Sequence, residues 1–128
     1  MEAQRLILVV WSCGPDRPDG AMLAAAPFVY ALAARALDLE VEMHFTSTTV
    51  RWLVESVAAG AHTDAARSKT VLDFIREAQA AGVKLFACAM ARAEHLGAGE
   101  QLLANIGIAG AATVVAATVQ DGARTMVF

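Results

Sequence analysis

Two residues of this chain stand out as capable of covalent chemistry, Cys13 and Cys88, which lie 75 positions apart. A thiol acts as a nucleophile through its thiolate, so its surroundings decide whether it reacts. Cys88 closes the apolar run Val83-Lys84-Leu85-Phe86-Ala87 and precedes an alanine-rich stretch, Ala89 to Leu96. That places it at a strand-to-helix turn, facing the free N–H groups and the positive end of a helix dipole. Such surroundings lower a thiol pKa. Arg92 and His95 follow four and seven residues later, on roughly the same helix face. Arg92 adds a fixed positive charge, and His95 is a group able to assist proton transfer. The competing reading of Cys88 is a small buried hydrophobe, a common fate of free cysteines. Cys13 follows the first apolar run and reads either as a relay or redox partner for Cys88 or as a loop thiol. No C-x-x-C spacing is present.

Other chemistries find no support in the spacing. His44, His62 and His95 are isolated, and none pairs with a cysteine at zinc-ligand spacing, so no metal is expected. Gly107-Ile108-Ala109-Gly110 matches neither phosphate-loop pattern, and no G-x-S-x-G elbow occurs. No organic cofactor is expected either. Asp16, Arg17 and Asp19 read as a solvated, turn-forming loop. The net charge of −3, with ten scattered basic residues, disfavours a nucleic-acid binder of the electrostatic kind.

With 128 residues, 57% hydrophobic against 18% charged, the chain fits one domain over 1–128 and is not disordered. Its mean hydropathy of +0.49 raises the question of membranes. The longest nearly unbroken apolar run, Ala21 to Ala34, falls short of the roughly 20 residues of a spanning helix. The run from Leu6 to Cys13 superficially suggests a lipidated signal peptide. Its apolar core of about six residues is below the roughly 7–15 expected, and Trp11 is too bulky for such a cleavage site. The expectation is a cytoplasmic chain with reduced cysteines and no membrane partner.

The elements that must position the cysteines follow from the apolar pattern. Arg5 to Trp11, Glu40 to Phe45, Val83 to Ala87, Ile106 to Ala109 and Arg124 to Phe128 read as strands. Helices are expected over Ala21 to Leu37, from Thr46-Ser47-Thr48-Thr49 to Gly60, over Lys69 to Ala81, Ala89 to Leu96 and Ala111 to Val119. Glu100 to Ala104 is expected to add a turn or two. Asp19 is a candidate cap for the first helix, Pro27 should kink it, and Gly82 should close the third. This alternation predicts an α/β three-layer sandwich of about five mostly parallel strands, with the doubly wound, flavodoxin-like order 2-1-3-4-5. In that order the strand-order reversal falls between the first and third strands, and both cysteines sit at the crevice there.

The segment from Val83 to Gly97, VKLFACAMARAEHLG, resembles the central strand, cysteine and short helix of the DsrE/DsrF-like family. The opening strand, alanine-rich first helix, strand leading into Thr46-Ser47 and late Gly110-Ala111-Ala112-Thr113 agree with it over nearly the whole chain. The resemblance implies a sulfur-relay protein in which Cys88 accepts sulfur as a persulfide and hands it on. It also implies donor and acceptor proteins, no cofactor, and homo- or hetero-oligomers, often trimers or hexamers. Cys13 is outside the family pattern, leaving a Cys13–Cys88 thiol–disulfide switch open. A non-catalytic assembly module of the same fold is the third reading. The apolar first helix points separately to self-association, because one domain can cover only one of its faces.

Overall fold

The computed structural model describes residues 4–128. Its strands are β1 (Arg5–Val10), β2 (Glu40–Phe45), β3 (Lys84–Cys88), β4 (Ile106–Ala109) and β5 (Ala123–Val127). They form one parallel sheet in the order β4-β3-β2-β1-β5. The helices are α1 (Gly20–Ala36), α2 (Glu55–Ala59), α3 (Val71–Ala80), α4 (Ala89–His95) and α5 (Ala111–Thr118), with a 3₁₀ segment over Ser47–Leu53. Among the described residues, no helix is long and apolar enough to cross a membrane.

The architecture is the expected doubly wound α/β sandwich, but its one reversal falls elsewhere. The order is 4-3-2-1-5 in place of 2-1-3-4-5, so β1 lies between β2 and β5. The chain steps in one direction from β1 to β4 and then crosses back to the far side of β1. Right-handed crossovers put every helix of the outward walk on one face and leave α5 alone on the other. The core follows this asymmetry. Leu8, Val10, Met43, Phe45, Leu85 and Ala87 point to the helix-rich face and pack against Ala24, Phe28, Ala31, Leu53 and Ile75. The alternate residues Val9, His44, Phe86 and Gly107 lie in one row across the opposite face. A Cβ on Gly107 would stand 2.6 Å from Phe86 Cδ1, so the absent side chain is what admits the phenyl ring there.

Local departures from the expected elements have identifiable causes. Asp19 occupies the cap position of α1 but makes no capping bond; its carboxylate is held by Arg17 at 3.0 Å. A Cβ on Gly20 would meet the Gly14 carbonyl oxygen at 2.0 Å, so the first loop folds back onto the helix start only because glycine is there. The predicted helix from Thr46 to Gly60 divides at Val54, which forms a β-bridge with Leu102, while Leu103 N–H donates to the Leu53 carbonyl at 2.8 Å. The same pairing keeps Gln101 to Leu103 out of the helical turn expected over Glu100 to Ala104, and Ala104 enters a turn with Asn105. α3 starts at Val71 because Thr70 and Asp73 form a reciprocal capping box. Gly82 follows that helix with φ of +90°, the left-handed conformation expected after a helix end.

Candidate functional site

Cys88 is the last residue of β3 and the N-cap of α4. The parallel register pairs Phe45 with Ala87, so Thr46 on β2's exit stands beside Cys88 on β3's. Burial alone would push the Cys88 thiol up. It is outweighed by the Ala91 N–H, the Thr46 hydroxyl and the Met90 N–H, all favouring the thiolate, and the pKa falls below that of an ordinary thiol. Thr46 makes no capping bond to the 3₁₀ segment that it precedes, which leaves its hydroxyl for the sulfur.

Arg51 fixes the far end of α4. Its guanidinium grips Glu100 through two bonds of 2.7 and 3.0 Å and donates to the His95 carbonyl at 2.9 Å. Glu100 also accepts the Gly97 N–H at 2.6 Å. A two-pronged arginine–carboxylate pair is directional as well as strong, so it locks the loop after α4 onto the 3₁₀ segment. In this way a short helix of seven residues is held in place beneath the thiol.

The thiol borders a cavity of about 190 Å³ between α5 and the sheet. Val9, Ala109, Ala111, Val114 and Val115 supply apolar walls, and His44, Thr46 and Cys88 are the polar side chains lining it. His44 is 5% exposed, and neither imidazole nitrogen has a hydrogen-bond partner among the described residues. Its ring stacks on Phe86, with centroids 4.7 Å apart and planes 9° from parallel. Glu42 Oε1 lies 3.5 Å from Nε2, too far for a strong hydrogen bond. Burial disfavours the imidazolium more than Glu42 favours it, so the His44 pKa is lowered and the ring is neutral near pH 7.

The other residues singled out from sequence are distributed differently. Arg92 is exposed on α4, and His95 is partly buried with Nε2 4.0 Å from Glu94. Neither is among the groups acting on the Cys88 thiol. Cys13 is 3% exposed in the helix-rich core, and its carbonyl accepts the Trp52 indole N–H at 2.8 Å. Burial raises its pKa, opposed by a backbone hydrogen bond and by Arg17. Both cysteines are free. Because β2 separates β1 from β3, the strand-order reversal does not join them, and Cys13 does not line the cavity.

Thr46, His44 and Arg51 did not emerge as site residues from the sequence. For the first two the signal was present once β2 and β3 are paired. The residue after β2 then falls beside the residue ending β3, and the alternation places His44 and Cys88 on one face. Arg51 carries no comparable local signal, since its partner lies 49 residues away.

Residues 13–128 match the model of the DsrE/DsrF-like family. The fold is similar to that in the crystal structure of the ychN protein from E. coli, with a TM-score of 0.73 at 12% sequence identity over 100% of both chains. No curated protein gives a significant sequence match.

Proposed function

Because the chain belongs to the DsrE/DsrF-like family, we propose that it carries sulfur as a persulfide on Cys88 and passes it to a partner. The observation that carries this reading is the state of the Cys88 thiol, partly buried at a cavity mouth with three donors favouring the thiolate. Sulfur transfer needs a nucleophilic thiolate and then donors for the charged terminal sulfur of the persulfide. The Ala91 and Met90 N–H groups and the Thr46 hydroxyl suit both demands. Arg92 is a candidate surface charge for a donor or acceptor protein docking over α4, and His95 has the same position nearby. Cys13, buried with a raised pKa, suits a structural role better than a relay.

The test is intact-mass measurement after incubation with a sulfane-sulfur donor. The expected result is a gain of one sulfur, absent in Cys88→Ala and retained in Cys13→Ala. No gain in the parent chain refutes sulfur carriage. A loss of two hydrogens on mild oxidation, requiring both cysteines, supports the disulfide switch instead.

Self-assembly, as trimers or hexamers, is part of the same proposal. Met22, Val29 and Tyr30 of α1 are 62%, 49% and 48% exposed in the single chain. Scattered apolar residues are ordinary on a surface, but these three and Leu23, four on one helix, supply material for an interface.

A further inference from the structure

On the sulfur-carriage reading above, we propose that the cavity beside Cys88 selects the sulfur donor: a small persulfide, R–S–SH, whose organic part R is uncharged and apolar. The cavity lies between α5 and the sheet, and among the described residues no charged side chain lines it. An anionic donor would give up hydration there without meeting a counter-charge, which is costly in apolar surroundings. An apolar group meets Val9, Val114, Val115 and alanine methyls instead. The size is also suitable. An apolar cavity of about 150 Å³ accommodates a benzene ring, and this one has about 190 Å³.

His44 distinguishes the cavity from a packing defect. A buried imidazole with both nitrogens unpartnered is an expense that native folds rarely retain without use. Neutral imidazole carries one N–H donor and one acceptor, a polar pair kept uncharged in the wall of an otherwise largely apolar cavity.

The transfer step balances without an oxidant. The Cys88 thiolate attacks the outer sulfur of R–S–SH, and the new Sγ–S bond forms as the S–S bond breaks. The outer sulfur keeps its hydrogen, giving Cys88–S–SH, while the electron pair of the broken bond leaves with R–S⁻. His44 is part of the wall of the same cavity, on the strand next to the one that ends at Cys88.

Two methanethiosulfonates with the same leaving group, one S-benzyl and one S-(2-sulfonatoethyl), test the selection on the full chain carrying Cys13→Ala. Each attaches its group to Cys88 as a mixed disulfide and releases methanesulfinate, so intact mass gives the rates. Each rate is divided by that for a cysteine-containing tripeptide. The benzyl reagent should then be favoured by about tenfold, the effect of burying roughly two methylene groups. Filling the cavity with Val114→Phe, or independently with Ala111→Leu, should bring the ratio towards one, with iodoacetamide alkylation of Cys88 in each variant as the control that the thiol is still reactive. A ratio near one in the parent, or one unchanged by both fillings, overturns the donor assignment even if inorganic polysulfide loads Cys88. A benzyl preference with no sulfur gained from either polysulfide or benzyl persulfide overturns sulfur carriage itself, and the donor assignment with it.

Discussion

Replacing His44 by phenylalanine should make the protein more stable. The imidazole is 5% exposed with neither nitrogen hydrogen-bonded, and a buried polar group left unpaired costs about 1–3 kcal/mol. Phenylalanine keeps an aromatic face against Phe86, where the rings already stack at 4.7 Å. Allowing for some strain from the larger ring, the expected gain is about 1–2 kcal/mol at pH 7.5. For a domain of this size, that raises the melting temperature by about 3–6 °C per kcal/mol. The pH dependence supplies a second, independent reading. Burial lowers the folded-state pKa of His44 against the pull of Glu42, so the unfolded chain takes up the proton first as pH falls. Wild-type stability is therefore full above an unfolded-state value of about 6.5 and is lost as pH falls towards the lower folded-state value, by at most about 1.4 kcal/mol per pH unit. His44→Phe lacks this loss, so its advantage should widen between about pH 6.5 and the folded-state value. Urea unfolding at several pH values measures both effects. A variant less stable than wild type at pH 7.5 by 1 kcal/mol or more would show that the imidazole nitrogens are satisfied and refute the reasoning.

Thr46→Val removes one of the three donors to the Cys88 thiolate while leaving the Ala91 and Met90 N–H groups in place. The pH at which iodoacetamide alkylation of Cys88 reaches half its limiting rate should move upward, and an unchanged midpoint would remove Thr46 from the site. For assembly, light scattering on wild-type protein should give a multiple of the 13.4 kDa chain mass, and Val29→Glu should reduce it. A wild-type monomer that persists at high concentration would refute self-association through α1.

The elements were legible because apolar runs and punctuation define them locally. β2 and β4 end where the pattern says, and α3 is off by little because Thr70 and Asp73 cap it. What the pattern could not carry was pairing between distant segments. The Val54–Leu102 bridge splits one expected helix and abolishes another, and its two residues are 48 positions apart. Strand order is a fact of the same kind. A buried parallel strand is apolar on both faces, so nothing in β1 says whether its second neighbour is β3 or β5. Cys88 was readable from its own turn, whereas the supposed meeting with Cys13 depended on the strand order and went with it.

That order also accounts for the site. With β1 to β4 laid down in one direction, the helices between them crowd one face and seal it. The return to β5 leaves α5, an eight-residue helix with no buried residue, as the only helix among the described residues over the other face. So light a cover leaves unfilled space at the strands' carboxyl ends, and the side chains pointing into it are fixed by register: Val9, His44 and, two residues beyond Phe86, Cys88. A second full helical layer would bury the same row in a packed core, with no opening for a substrate and no tolerance for an unpartnered histidine. The thinness of the α5 layer is thus what turns a parallel-sheet edge into a pocket with a thiolate at its mouth. The row itself needed only the alternation of three strands.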